Sequence, residues 1–167
     1  RHSDLGTGVG HIGVQTSDGD NAIIIIPQSN DRADEAYIER HKETILGSDI
    51  LLIQNELPKP GNVAAAKLAK AHGVKVILTP APVGPMDEFI GLCDLVVPNE
   101  GEAEAITGVS SANPEEQAKA LSKKFGCKDV VITLGPKGAY VTDGSRSKFI
   151  SAPKVEALDT IARSEEH

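Results

Sequence analysis

Short apolar runs separated by helical stretches constrain the fold of this chain most strongly. Runs rich in Ile, Val and Leu lie at residues 49–54, 74–78, 95–97 and 129–133, with a shorter one at 139–142. Stretches with helical periodicity lie at residues 31–46, 62–72, 100–107 and 114–125. Short apolar strands that alternate with helices predict an α/β fold, in which a mostly parallel sheet is covered by helices on both faces.

The first 30 residues follow a different pattern. The run 9–15 alternates loosely, residues 17–20 have turn composition, and the β-branched block 22–26 is ended by Pro27. This pattern predicts an antiparallel hairpin. We therefore expect two parts: a hairpin region at residues 1–30 and an α/β core at residues 31–167.

Composition bears on where the protein acts and what it binds. The formal net charge is −7, whereas a nucleic-acid-binding protein normally presents a basic surface. We expect no membrane segment, because no apolar run reaches the length needed to cross a bilayer. Cys93 and Cys127 form no CxxC pattern, which indicates reduced cysteines and, without a signal-peptide pattern, a cytoplasmic protein.

Two patterns that suggest binding sites have plainer interpretations. Residues 8–13, Gly-Val-Gly-His-Ile-Gly, match the GxGxxG spacing of dinucleotide-binding proteins, and Asp31 lies where a ribose partner is expected. That motif requires a strand before the glycines and a helix after them. Here a polar segment precedes them and a hairpin turn follows, so we reject the dinucleotide interpretation. The histidines show no zinc-ligand spacing.

Polar or glycine-rich segments follow four successive predicted strands. They are Asn55-Glu56, Thr79-Pro80-Ala81-Pro82, Pro98-Asn99-Glu100-Gly101-Glu102 and Leu134-Gly135-Pro136-Lys137-Gly138. In open α/β sheets, ligands bind beside the carboxyl ends of the strands. The four segments together therefore predict a ligand-binding edge, although each alone is equally consistent with ordinary turns and caps.

Two of these segments have both a structural and a functional interpretation. Asn99 and Glu102 are three residues apart at a helix start, so they could form a capping box or point together toward a ligand. Gly135 and Gly138 permit close backbone approach, and Thr133 adds a hydroxyl group. That combination suits a nucleotide phosphate, and it suits a plain glycine turn between two strands equally well.

In order and spacing, these segments resemble the ribokinase family of carbohydrate kinases over nearly the whole chain. The segments that carry the resemblance are Gln28-Ser29-Asn30, Gln54-Asn55-Glu56, Thr79-Pro80-Ala81-Pro82, Asn99 with Glu102, Thr133-Leu134-Gly135 with Gly138, and Asp159-Thr160-Ile161-Ala162. Gln28 and Thr79 depart from the family's Gly and Asn at those positions. The resemblance implies a ribokinase-like α/β fold, with the hairpin as the remnant of a β lid and residues 31–167 as part of a nucleotide-binding kinase core.

The resemblance also implies an activity: ATP-dependent phosphorylation of a pentose at a primary hydroxyl, ribose to ribose 5-phosphate, with Mg²⁺, possible K⁺ and a possible homodimer. It assigns sugar contact to Glu56, and magnesium and phosphate contacts to Asn99 and Glu102. The nucleotide contacts that it implies fall on Thr133, Gly135 and Gly138. The potassium ligands that it implies fall on Asp159 and Ile161.

The sequence departs from the family pattern near residue 163. After Ala162 the family has a small residue, Gly and a catalytic Asp, whereas this chain has Arg163-Ser164-Glu165. Glu165 falls on the position of the catalytic Asp, with one more methylene group. We therefore expect a shortened kinase that is weakly active or inactive. The alternative is a non-catalytic nucleotide- or partner-binding protein on the same scaffold.

Overall fold

A computed structural model describes residues 4, 6–14 and 21–154 of the 167-residue chain. The described residues divide into two compact units, with the divisions between Arg32 and Ala33 and between Pro153 and Lys154. Asp159, Ile161 and Glu165, for which the sequence suggested roles, lie outside the described residues.

The smaller unit contains the hairpin that the sequence predicted. Strand β1 (Val9–Val14) pairs with strand β2 (Asn21–Ile26) in antiparallel register. A short 3₁₀ helix follows at Gln28–Arg32. Gly8 precedes β1, Gly10 and Gly13 lie inside it, and the next described element is strand β2. Among the described residues, these glycines therefore lie before or within a strand rather than between a strand and a helix.

The larger unit contains the remaining elements of the described chain. Its helices are α1 (Glu35–Arg40), α2 (Lys42–Leu46), α3 (Lys59–Ala71), α4 (Glu100–Thr107) and α5 (Pro114–Phe125). Its strands are β3 (Ile50–Gln54), β4 (Lys75–Thr79), β5 (Leu95–Val96), β6 (Asp129–Thr133), β7 (Ala139–Thr142) and β8 (Ser147–Ile150). Two short 3₁₀ helices lie at Asp87–Phe89 and Gly135–Lys137.

These six strands form one sheet in the order β3-β4-β5-β6-β7-β8. The strands β3 to β6 are parallel, whereas β6, β7 and β8 pair in antiparallel register. The mostly parallel sheet that the sequence predicted is confirmed. Because β3 to β6 run in one direction, the segments that follow them meet at one edge of the sheet.

One face of the sheet carries the core. Its inward side chains are fully or almost fully buried and include Ile53, Val76, Leu78, Val130 and Ile132. They pack against apolar residues of α3, α4 and α5, among them Ala66, Ala69, Ala103, Leu121 and Phe125. The alternation of more and less buried positions along β3, β4 and β6 follows from the two-residue period of a strand.

The opposite face of the sheet is apolar but uncovered. Leu52 is 72% exposed and Ile150 is 51% exposed, and Ile77 and Val131 are only partly buried. The expectation that helices cover both faces is therefore wrong for the described residues. Fully apolar strands indicate that both faces of a sheet are buried, but they do not indicate which part of a protein covers the second face.

Three secondary-structure elements differ from the sequence-based predictions. The helix predicted at residues 31–46 is divided between a 3₁₀ helix, α1 and α2, because Asp34 caps α1 and the backbone at His41 leaves the helical region. Helix α3 begins at Lys59, three residues before the predicted start. Strand β8 was not predicted, because the sequence 147–150 combines polar and apolar residues without a clear period.

Candidate functional site

The carboxyl-end edge of β3 to β6 carries the polar segments that the sequence singled out. Asn55 and Glu56 follow β3, Thr79 ends β4, and Asn99 follows β5. Thr133 ends β6 and leads into the turn at residues 134–138. The topology therefore places these segments along one edge, in the strand order β3-β4-β5-β6.

Asn99 and Glu102 form a reciprocal capping box at the start of α4. The Glu102 backbone N–H donates to Asn99 Oδ1 at 2.8 Å, and the Asn99 backbone N–H donates to Glu102 Oε2 at 2.8 Å. Both residues are held by the helix start that they stabilise. The box uses one oxygen of each side chain, and within the described part of the chain the Asn99 amide NH₂ group and the second Glu102 carboxylate oxygen make no further hydrogen bond.

Thr133 lies directly beside Asn99. The two residues form a parallel β-bridge, and the Thr133 backbone N–H donates to the Pro98 carbonyl at 3.0 Å. This contact extends the pairing of β5 with β6 beyond the two residues of β5. It fixes the start of the glycine turn next to the N-terminus of α4.

The turn at residues 134–138 is built on two glycines with positive φ. Gly135 has φ +55° and Gly138 has φ +107°, a region that favours glycine. A Cβ atom on Gly138 would overlap the Ile150 carbonyl oxygen, whereas one on Gly135 would meet no atom within 4 Å. The Leu134 N–H closes the turn by donating to the Gly138 carbonyl at 2.8 Å. Gly138 thus serves packing, and Gly135 leaves open space beside Thr133.

A loose ion pair links this turn to α4. Lys137 Nζ lies 3.9 Å from Glu100 Oε2, and Lys137 is exposed. An exposed pair at this distance contributes little to stability, roughly 0–1 kcal/mol. Its relevance is positional: it puts a cationic group at the end of the sheet where a phosphate would meet the N-terminus of α4.

Glu56 lies on a separate turn after β3. Asn55 fixes that turn by donating from its backbone N–H to Ala81 O at 2.9 Å and from its side chain to Pro82 O at 2.7 Å. Glu56 itself is exposed. No hydrogen bond or ion pair joins it to Asn99 or Glu102 within the described part of the chain. Glu56 is thus on the same edge, two strands away from the residues around α4.

Two buried amide side chains that sequence reasoning did not identify hold this edge together. Asn62 is 6% exposed, and its Nδ2 donates to the Gln54 carbonyl at 2.8 Å. Gln117 is fully buried, and its Nε2 donates to Glu100 O at 3.1 Å and to Val109 O at 3.0 Å. The one available signal was an amide residue on the apolar side of each helix, which a helical projection of α3 and α5 displays.

The remaining groups around α4 fit a hydrated metal ion and a phosphate. The unengaged Glu102 oxygen is an acceptor, which suits water molecules of a Mg²⁺ ion, since Mg²⁺ usually keeps several waters. The Asn99 NH₂ group is a donor, which suits phosphate oxygens. Within the described ranges no three His, Cys, Asp or Glu side chains are placed to hold a metal ion directly. The unengaged Glu102 oxygen and the Asn99 NH₂ group thus fit a metal ion bound through water and phosphate.

Comparison with known families identifies the class of protein to which this fold and its polar edge belong. The family of pfkB carbohydrate kinases matches residues 4–162. The chain belongs to this family. The resemblance inferred from the sequence motifs is therefore confirmed at the level of the family.

Individual relatives are ribokinases. The chain is 40% identical to the ribokinase of Haemophilus influenzae over 159 residues, covering 93% of this chain and 52% of that protein. It is 37% identical to the ribokinase of Staphylococcus aureus over 150 residues, covering 87% of this chain and 49% of that protein. The chain thus spans about half the length of the curated relatives that it matches.

Solved structures give the same fold. A ribokinase from Thermotoga maritima superposes with a TM-score of 0.80 at 34% identity, covering 95% of this chain and 52% of that chain. The ribokinase of Arabidopsis thaliana, solved with ribose and ATP, superposes with a TM-score of 0.76 at 32% identity, covering 89% of this chain and 49% of that chain. The ribokinase-like fold is thereby confirmed. In the described ranges, no helix is both long enough and apolar enough to cross a membrane.

Proposed function

We propose that this chain carries the metal- and nucleotide-binding half of an ATP-dependent sugar kinase. The acceptor in this proposal is a pentose, to which the kinase transfers a phosphoryl group at a primary hydroxyl. The observation that carries the proposal is the β-bridge between Asn99 and Thr133. It joins the capped N-terminus of α4 to the Gly135–Gly138 turn. The Asn99 NH₂ donor and the second Glu102 oxygen, an acceptor, therefore belong to the same region as the open backbone at Gly135. The substrate follows from relatives named as ribokinases, one of them solved with ribose and ATP.

Each residue has a role in this proposal. Asn99 binds phosphate oxygens through its NH₂ group, and Glu102 orders the water shell of Mg²⁺. Thr133, Gly135 and Gly138 line the nucleotide. Glu56 contacts the sugar. When bound, Mg²⁺ would supply positive charge beside the transferring phosphoryl group, as in other phosphotransferases. Asp159 and Ile161 remain proposed potassium ligands, and Glu165 remains a proposed substitute for the catalytic Asp.

We propose little phosphoryl transfer by these 167 residues alone, in a cytoplasmic setting. They cover about half of the relatives' length, and sugar kinases require groups for both substrates at once. In this proposal residues 1–30 are the remainder of a β lid and residues 31–167 are part of the kinase core. A coupled ADP-release assay with ribose and Mg-ATP tests it. We expect turnover near background, and robust turnover would contradict the proposed weak activity.

The uncovered sheet face supports a second candidate function, a non-catalytic binding protein that recruits another chain. Leu52, Ile77, Val131 and Ile150 form an apolar face that is exposed or only partly buried, and large exposed apolar patches mark interaction surfaces. Calorimetry with ATP together with the mass in solution separates the two candidates. Absence of nucleotide binding with a stable oligomer would favour this second function, and Mg-dependent ATP binding would favour the kinase half.

A further inference from the structure

A cavity lies at the opposite end of the strands from the candidate site. Its volume is about 380 Å³, in the range of small-ligand sites. Helix α5 forms one wall, and the turn between β7 and β8 forms another. Lys128 lies between these walls, immediately before the first residue of β6. Since Thr133 ends β6, the two sites are separated by the length of that strand.

The lining of this cavity is cationic, although the chain has a formal net charge of −7. Its charged side chains are Lys119, Lys123, Lys128, Arg146 and one carboxylate, Glu115. Lys119 and Lys123 of α5 lie four residues apart, so they occupy the same side of the helix. The cavity therefore gathers positive charge from three separate segments.

Part of this charge is compensated within the protein. Lys119 pairs with Glu115 at 2.9 Å, and Arg146 pairs with Asp143 at 3.0 Å. The hydrogen bond that Lys119 donates to Glu115 raises the pKa of Lys119, which keeps that pair ionised. Lys123 and Lys128 have no carboxylate within ion-pair distance among the residues that the structure describes. Within the described ranges, these two positive charges at the cavity thus lack a counter-charge.

The cavity also has neutral donors. The Ser145 and Ser147 side chains line it, and their hydroxyls make no hydrogen bond to any described residue. Ala118 and Tyr140 lie at its base but are only 1% and 4% exposed, because they belong to the hydrophobic core. The groups that a ligand can reach are therefore mainly charged and hydroxyl side chains.

The turn that closes the cavity is held in place by a glycine. Gly144 has φ +82°, and a Cβ atom built on it would lie 3.3 Å from Lys128 Cβ. The turn therefore packs against the stem of Lys128. Asp143 Oδ1 accepts from the backbone N–H groups of Ser145 and Arg146 at 2.9 and 2.8 Å, which fixes the turn internally. These contacts make the wall a formed structure rather than a row of independent surface lysines.

We propose that this cavity binds the phosphate group of a small ligand, with Lys123 and Lys128 facing the phosphate. A phosphate dianion matches two uncompensated lysines in charge, and the serine hydroxyls supply further donors. The site is independent of the proposed kinase function, because it shares no residue with the carboxyl-end edge.

The test is a ¹H–¹⁵N titration of the whole chain with phenyl phosphate, compared with inorganic phosphate and with phenol. We expect saturable shifts at the amides of Gly144, Ser145 and Ser147 with phenyl phosphate and with inorganic phosphate, and no shifts with phenol. The double variant Lys123→Gln/Lys128→Gln should weaken phenyl phosphate binding at least about tenfold, since each close charge pair contributes on the order of a few-fold to tenfold.

A matched control is the double variant Lys67→Gln/Lys75→Gln, which removes the same charge from exposed positions outside the cavity. It should bind phenyl phosphate as the parent chain does. Equal weakening in both double variants would overturn the proposal in favour of non-specific charge attraction. Shifts confined to residues 99–102 and 133–138 would also overturn it, because the ligand would then occupy the other edge.

Discussion

Asn99 and Thr133 form a parallel bridge that joins the two polar motifs of this chain, although 34 positions separate them in the sequence. The bridge lies just beyond the two-residue strand β5. Because of it, the capping box at α4 and the glycine turn after β6 form one continuous surface. The candidate site depends on this contact more than on either motif alone.

Substitution of Glu102 separates capping from metal binding. Glu102→Gln retains an oxygen that can accept from the Asn99 backbone N–H, so α4 should keep its cap. It loses the negative charge that suits the water shell of Mg²⁺. We expect an unfolding free energy within about 0.5 kcal/mol of the parent and a clear loss of Mg-dependent ATP affinity by calorimetry. Unchanged affinity would argue against the metal role of Glu102.

Asn99 and Asn113 provide a matched pair of helix caps. Asn99 Oδ1 accepts from the Glu102 N–H at 2.8 Å, and Asn113 Oδ1 accepts from the Glu116 N–H at 3.3 Å. Replacement of either by Ala should cost about 1 kcal/mol in urea unfolding. Only Asn99→Ala should also weaken ATP binding. An equal effect of both variants on ATP binding would indicate that Asn99 acts only as a helix cap.

The two glycines of the turn after β6 should respond differently to alanine. Gly138→Ala forces a Cβ atom onto the Ile150 carbonyl in addition to strain at φ +107°, so we expect a loss above about 3 kcal/mol. Gly135→Ala has open space around the new methyl group and should cost only about 1–2 kcal/mol. Its main effect should be weaker ATP binding, measured by calorimetry. Gly73→Ala, at φ +77° with open space, is the control for strain alone.

The uncovered sheet face predicts self-association of the isolated chain. Leu52 is 72% exposed there, whereas Leu78 is fully buried on the other face. Leu52→Lys should lower the apparent mass in sedimentation experiments and leave the unfolding free energy within about 0.5 kcal/mol. Leu78→Ala should instead cost about 2–5 kcal/mol. A parent chain that stays monomeric at high concentration would contradict this prediction.

Burial of Cys93 predicts a pH-dependent stability. Burial raises the pKa of the Cys93 thiol to about 12, with a smaller contribution from Cys127. The thiol stays protonated in the folded chain, while it ionises near pH 8.5 in the unfolded chain. Stability from this group is therefore complete below about pH 8.5 and falls as the pH rises toward 12, by up to about 1.4 kcal/mol per pH unit. Urea unfolding between pH 8 and 9.5 measures the slope, which should be smaller in Cys93→Ala.

Much of the architecture could be predicted because local signals agreed with the fold. Strong caps and terminal glycines define α4 and α5, whose predicted bounds match the structure. Strand β8 and the division of the 31–46 helix could not be predicted, because β8 is ordered by pairing with β7 and the helix ends at a local backbone change at His41. Spacing along the chain does not encode tertiary packing. It therefore could not predict the contact of Asn99 with Thr133 or the hydrogen bonds of the buried Asn62 and Gln117 side chains.

The central claim is that α4 and the turn after β6 form one metal-dependent nucleotide site. The most direct measurement is a ¹H–¹⁵N titration of the chain with ATP, with and without Mg²⁺. We predict saturable shifts at the amides of residues 99–102 and 133–138 that require Mg²⁺ for full affinity. Absence of binding, or shifts that leave both segments unchanged, would contradict the claim.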